Sequence, residues 1–175
     1  MPKILENVRE SLLQEAKRQV FENGYSSLTI RSVANACGIG TGTVYNYFDS
    51  KDALVSEFML EDWGACIDAV SSKSAASSEV EPVLKCIFDE LRVFADKHRA
   101  LFEDENARES FGETYQSKRE LLRNQIAAPL LKFSERQKKV SAQYLAEFAA
   151  ESLLMWTLSG GTYEDVSSVL LQLFS

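Results

Sequence analysis

Residues 28–54 read LTIRSVANACGIGTGTVYNYFDSKDAL, and the spacing of their apolar residues decides the fold of the N-terminal part of the chain. Thr29 is a good helix N-cap, and Ile30, Val33 and Ala34 recur behind it at helical spacing, which predicts a short amphipathic helix from about Ile30 to Ala36. Gly38 ends that helix by supplying left-handed backbone, and Ile39 returns the chain to the core. Thr41 is placed to cap a second short helix that carries Val44, Tyr47 and Phe48 inward. Ala34, Gly38 and Val44 thus fall where two crossing helices need a small contact residue, a turn residue and an apolar anchor, the pattern of a helix-turn-helix.

The second helix leaves Thr41, Thr43, Tyr45 and Asn46 outside, polar side chains with no evident packing role and no acid among them. Their chemistry suits base edges. Asparagine pairs bidentately with adenine, threonine hydroxyls reach groove donors or acceptors, and a threonine methyl can touch that of thymine. Tyr45, Tyr47 and Lys51 fit phosphate contacts, which fix register without reading sequence.

The run Gly24-Tyr25-x-x-Leu28-Thr29-Ile30, followed by Gly38-Ile39-Gly40-Thr41-Gly42-Thr43-Val44-Tyr45-Asn46-Tyr47-Phe48-x-Ser50-Lys51-Asp52-x-Leu54, resembles the DNA-binding domain of the TetR family of transcriptional regulators. The resemblance runs from about Val8 to Leu54, just under a third of the chain, and departs from the usual pattern at Gly40 and Thr41. It implies a DNA-contact set of Thr29, Arg31, Thr41, Gly42, Thr43, Tyr45, Asn46, Tyr47 and Lys51. It also implies a helix-turn-helix domain over residues 1–49 and a helical effector-binding and dimerisation domain over 50–175.

At 175 residues, 45% of them hydrophobic, the chain can bury a sizeable core. No stretch approaches the roughly 18 consecutive apolar residues of a membrane helix, and Met1 to Glu10 lack the apolar run of a signal peptide, so a cytoplasmic protein is expected. The net charge of -7 is unevenly spread. Residues 1–55 hold six basic (Lys3, Arg9, Lys17, Arg18, Arg31, Lys51) and six acidic (Glu6, Glu10, Glu15, Glu22, Asp49, Asp52) side chains, so the remainder carries all of the excess. An acidic body behind a neutral head repels DNA except at the reading face, which predicts weak non-specific affinity and marked salt sensitivity. The alternative is that the acidic surface only keeps the protein soluble.

Cys37, Cys66 and Cys86 lie far apart, form no CxxC, and have only His98 to join them, so no metal site and no cofactor are expected. A packing role is the first reading of each thiol, with a redox switch at Cys37, in the turn, as a minor alternative. Gly38-Ile39-Gly40-Thr41-Gly42 is no phosphate loop, because no strand precedes it and no GK[ST] follows. No nucleophile motif accompanies His98, and the acidic run Glu103-Asp104-Glu105 reads as a solvated face, so no catalytic residue is assigned.

Elsewhere apolar residues recur three and four apart, and the chain reads as all-α with about nine helices. The first helix is expected from about Glu6 to Asn23, with Leu12, Ala16, Val20 and Phe21 inward and Gly24 as its stop. A fourth helix begins near Asp49 or Ser50, carries Leu54, Phe58, Trp63, Ile67 and Val70, and yields to a loop over Ser71 to Ser78. Further helices are expected from Pro82 to about Lys97, around His98 to Arg108, and from about Glu113 to Lys139 with a kink at Pro129. The last two span Ser141 to Leu158 and, opened by the capping box at Thr162 to Asp165, run to about Phe174.

Tyr144, Leu145, Phe148, Leu153, Met155 and Trp156 on one of those last helices, with Val166, Val169, Leu170 and Leu173 on the other, are more apolar surface than a small monomer displays. The resemblance implies that these helices pair with their copies in a four-helix dimer interface, through Leu145, Phe148, Leu153, Val166, Val169, Leu170 and Leu173. The alternative is that they close the chain's own core. The family also encloses an effector cavity, for which Trp63, Cys66, Phe94, His98, Phe102, Tyr115 and Trp156 are candidates, each equally readable as core. His98, beside Lys97 and Arg99, reads from its neighbours as a solvated residue at a helix end.

The sequence therefore predicts a ligand-responsive repressor that reads a palindromic operator in double-stranded DNA as a homodimer and is released by a small-molecule effector, with no membrane partner and no enzymatic activity. Its rival is a helical small-molecule-binding or interaction module in which the head is a relic.

Overall fold

The apolar periodicity resolves into ten α-helices and two 3-10 turns, with no strand among the described residues. The computed structural model describes residues 7–135 and 140–175, less the side chains of residues 114–116. Glu6 and Lys139, the expected start and end of two helices, and the side chain of Tyr115 lie outside the described residues. The described helices gather into two packing units, one containing residues up to Asp62 together with His98–Thr114, the other Trp63–Lys97 together with Tyr115–Ser175. This division differs from the functional boundary proposed between residues 49 and 50, because the segment 98–114 packs with the head.

In the first unit, α1 (Val8–Asn23) stops at Gly24, whose φ of 79° lies in the region glycine favours. A 3-10 turn (Tyr25–Ser27) leads to α2 (Ile30–Cys37). Thr29 opens α2 with a capping box: its hydroxyl accepts from Ser32 N–H at 3.0 Å, and Ser32 Oγ accepts from Thr29 N–H at 3.2 Å. Gly38 closes α2 at φ 70° and ψ 29°, which lets Ile39 N–H reach back to Ala34 C=O at 3.0 Å. Next come α3 (Thr41–Tyr45) and α4 (Lys51–Ser74). Leu12, Ala16, Val20, Val33, Ala34, Val44, Leu54 and Val55 are wholly buried in one core, which α6 (Arg99–Glu103) and the start of α7 (Glu105–Ala127) complete with Leu101 and Ala107.

The second unit comprises the later part of α4, α5 (Val80–Lys97), the rest of α7, α8 (Leu131–Ser134), α9 (Ala142–Leu158) and α10 (Tyr163–Leu173). Its core gathers Val83, Leu84 and Ile87 from α5 with Ile126, Leu130 and Leu153. Ala146, Ala149 and Ala150, fully buried on α9, let that helix lie close to α5. Thr162 and Asp165 form the expected capping box, Thr162 N–H donating to Asp165 Oδ2 at 3.0 Å.

Several boundaries differ from those the sequence predicts. The expected helix over His98 to Arg108 is interrupted at Asp104, whose extended backbone separates α6 from α7. Pro129 does more than kink a long helix: α7 ends at Ala127, and Pro129 sits in a 3-10 turn (Ala128–Leu130) before α8, because proline offers no N–H and crowds the preceding turn. α4 runs on to Ser74, past the expected loop start at Ser71, and buries the Ser74 side chain. Phe21, expected inward, is 37% exposed and meets Phe58 and His98 edge-on. Leu121, on α7, is exposed.

Gly38 and Gly42 provide a stability test, since an added Cβ meets no atom within 4 Å at either site. Only Gly38 has positive φ, so Gly38→Ala should destabilise by about 1–2 kcal/mol while Gly42→Ala, inside α3, should be neutral or stabilising by up to about 1 kcal/mol. Urea unfolding followed by circular dichroism measures both.

Candidate nucleic-acid interface

A helix of five residues does not persist in water by propensity, so α3 exists because the head holds it. Val44 is fully buried and Phe48, just after the helix, is 5% exposed; both belong to the core of the first unit. With those anchors inward, Thr41, Gly42, Tyr45, Asn46 and Tyr47 are exposed and Thr43 is half-buried. Tyr47 was expected inward on the apolar pattern, but at 46% exposure it stands outside with Tyr45, because the last turn places Phe48 against the core. Thr41 is the first helical residue and the cap is Gly40, whose carbonyl accepts Thr43 N–H at 2.9 Å, so the Thr41 hydroxyl is not used as a cap.

The other candidates for DNA contact stand differently. Arg31 is exposed on α2, while the Thr29 hydroxyl is engaged in the capping box. Lys51 turns toward the protein: its ammonium donates to Tyr25 C=O at 3.3 Å and lies 3.8 Å from the centre of the Tyr25 ring. The Tyr25 hydroxyl donates to Asp52 and is 3.1 Å from Ser110 Oγ. Burial first, and the Asp52 carboxylate second, push that phenol up to about 12. Lys51 thus helps fasten the start of α4 to the turn ahead of α2.

The head also holds a buried charged cluster that local sequence did not reveal. His98, expected at a solvated helix end, is fully buried; its Nε2 lies 2.9 Å from Asp62 Oδ2, and Lys17 Nζ lies 2.6 Å from Asp62 Oδ1. Phe58 stacks on the imidazole at 6.1 Å, and Phe21 and Phe102 meet it at 5.6 and 6.5 Å. Asp62 is 36 residues away in sequence, which is why the flanking Lys97 and Arg99 gave the wrong environment. Asp104, read as part of a solvated acidic run, likewise has partners: it accepts from Ala107 N–H at 3.1 Å and from the Ser26 hydroxyl at 2.9 Å. The Ala107 N–H, with help from Ser26, holds its carboxyl below the usual range.

The seven effector-pocket candidates do not share one packing unit. His98 and Phe102 belong to the first, while Trp63, Cys66, Phe94 and Trp156 belong to the second. There Trp63 is 7% exposed, donates Nε1–H to Gln125 Oε1 at 2.8 Å and meets the edge of Phe94 at 5.3 Å. Trp156 is 41% exposed and donates to Thr162 C=O at 3.0 Å, spanning the turn between α9 and α10. An open groove of about 670 Å³, lined by Ser11, Gln14, Glu15, Arg18 and Asn35 to Gly38, lies between α1 and α2 and includes none of the seven.

Of the residues proposed for a dimer interface, Leu153 and Leu170 are buried in the core of their own unit, and Leu145 is buried on α9. Val166 and Leu173 are half-buried, and Phe148 and Val169 are exposed at 48% and 57%. Tyr144 and Met155 extend the exposed apolar set on α9. Burial pushes the Cys66 thiol up to about 12, and burial with the Glu15 charge raises that of Cys37, so both favour the unreactive thiol form.

The sequence profile described as "Bacterial regulatory proteins, tetR family" matches residues 12–58. Over 54 residues the chain is 35% identical to the HTH-type transcriptional regulator UidR of Escherichia coli, and over 51 residues 39% identical to the HTH-type transcriptional repressor KstR2 of Rhodococcus jostii. These matches cover 31% and 29% of this chain, and span only 28% and 25% of the relatives' lengths. The fatty acid degradation regulator FadR from Bacillus halodurans has the same fold, with a TM-score of 0.62 over 95% of this chain and 93% of that one, at 18% identity. Residues 12–58 are thus similar to the tetR family of bacterial regulatory proteins, and the chain as a whole shares the helical fold of a solved regulator at 18% identity.

Proposed function

We propose that the protein is a ligand-responsive transcriptional repressor in the cytoplasm that binds a palindromic operator as a homodimer and releases it when a small molecule binds the body. The observation that carries this reading is the outer face of α3. Thr41, Tyr45, Asn46 and Tyr47 stand exposed and free of acid on a helix whose other side is locked by Val44 and Phe48. Such a helix offers hydrogen-bonding groups to base edges and phosphates without rearrangement of the head. Asn46 and Thr43 are the proposed base contacts, and Tyr45 and Tyr47 the proposed phosphate contacts.

One short helix reads few base pairs, and a two-fold axis doubles the site. The exposed apolar side chains Tyr144, Phe148, Met155 and Val169, on the two final helices, are the proposed surface for the second copy. In the second unit, the surroundings of Trp63 and Phe94 are the proposed effector site, where apolar rings accompany the amide of Gln125. Effector binding would shift α4, which runs out of the head, and change the separation of the two reading helices. A ligand that prefers the released state about 100-fold shifts the equilibrium by about 2.7 kcal/mol, enough to empty an operator held by a modest margin.

Selection of bound sequences from random double-stranded DNA tests the reading. The wild type should enrich a palindrome, and Asn46→Ala should lose about 1–3 kcal/mol at one base pair of each half-site while non-specific affinity stays unchanged. An unaltered sequence preference in the variant removes Asn46 from the reading set.

Phe148→Glu places a charge on the proposed dimer surface without entering the core. It should shift the sedimentation mass from two chains to one and cost at least tenfold in operator affinity, with helicity retained. A variant that sediments like the wild type moves the interface elsewhere.

A further inference from the structure

Ser26, in the 3-10 turn three residues ahead of the Thr29 cap, is gripped by residues nearly eighty positions later. Its hydroxyl lies 2.9 Å from Asp104 Oδ2 and receives Asn106 Nδ2–H at 2.8 Å, and its backbone N–H reaches Asp104 Oδ2 at 3.3 Å. The other oxygen of Asp104 accepts Ala107 N–H at 3.1 Å in the first turn of α7. One carboxylate therefore caps α7 and clamps the turn that launches α2. The neighbouring Tyr25 repeats the connection, with its hydroxyl 3.1 Å from Ser110 Oγ and its ring 5.5 Å from Phe111. Ser26 and Asn106 are exposed and Asp104 is half-buried; the buried neighbours Tyr25, Leu28, Leu101 and Ala107 bring the two segments together, and these bonds set the fine position of the turn.

We propose that Asp104 is a positioning residue for DNA reading: through Ser26 it sets the direction in which the chain enters α2, and thereby the presentation of α3. This inference rests on the DNA-reading function proposed above. Capping of α7 alone requires only the bond to Ala107. Positioning requires the bonds to Ser26 as well, and that difference separates the two roles. A shift of the entry turn carries α2 and α3 with it, because Val33, Ala34 and Val44 are packed in one core. Specific contacts depend on fractions of an ångström, whereas non-specific phosphate contacts tolerate such shifts.

The test measures affinity for the selected operator and for unrelated duplex DNA, with folding checked by circular dichroism, for the full-length wild type, Ser26→Ala, Asp104→Ala, the double variant and Asp104→Asn. Positioning predicts that Ser26→Ala and Asp104→Ala each lower operator affinity about tenfold, that unrelated DNA is bound as before, and that the double variant is no worse than either single one. Asp104→Asn, whose single acceptor oxygen serves Ser26 or Ala107 but not both, should recover only part of the loss. Ser26→Ala that binds operator like the wild type overturns the proposal and leaves Asp104 as a helix cap, even where Asp104→Ala fails to fold. A folded wild type that enriches no sequence overturns the DNA-reading function, and this inference with it.

Discussion

The burial of Val44 and Phe48 is the constraint on which the candidate interface depends. α3 has five residues, too few to hold helical backbone in water, and no side chain caps its start. Burying an aliphatic or aromatic side chain of this size contributes about 1.5–3 kcal/mol, and two such anchors offset part of the cost of fixing so short a helix. The arrangement divides labour within a few residues. The inner side supplies stability and the outer side is left free to carry chemistry. Gly38 makes the division possible, since its left-handed backbone turns the chain sharply enough for α2 and α3 to share one core.

The head has a second set of constraints that comes from far along the chain. Leu101 and Ala107 fill its core, His98 and Lys17 meet on the carboxylate of Asp62, and Asp104 holds Ser26. Charged groups buried in this way are costly unless matched, and here each oxygen of Asp62 has a cation or imidazole within 3 Å. Such pairing specifies geometry better than apolar contact does, because a slip of a single turn leaves a buried charge uncompensated. The segment 98–114 therefore acts as part of the head, although it follows the later part of α4 and α5, which belong to the other unit.

The second unit is built on a different principle. Three buried alanines on α9 allow close approach to α5, and large apolar residues around them fill the space. Its remaining apolar side chains, among them Phe148 and Val169, stay at the surface, where their exposure costs solubility unless something covers them. The acid excess follows residue 55 in sequence, yet Glu57, Glu61, Asp62 and the acidic residues between Glu103 and Glu113 fold into the first unit, so that unit carries most of it.

The sequence alone determined the helical class, the helix-turn-helix and the family resemblance, because these rest on local signals: apolar spacing, the Thr29 cap, Gly38, and the dense run from Gly38 to Leu54. It also separated the outer from the inner side of α3, apart from Tyr47, whose placement depended on how the last turn met the core. What only the tertiary structure decided involves partners distant in sequence. Lys51 faces Tyr25, His98 finds Asp62, Asp104 finds Ser26, and Leu153 and Leu170 turn into their own core. Periodicity identifies an apolar stripe but not which neighbour covers it, and a charged residue reveals its role only when the fold brings its counterpart within hydrogen-bonding distance.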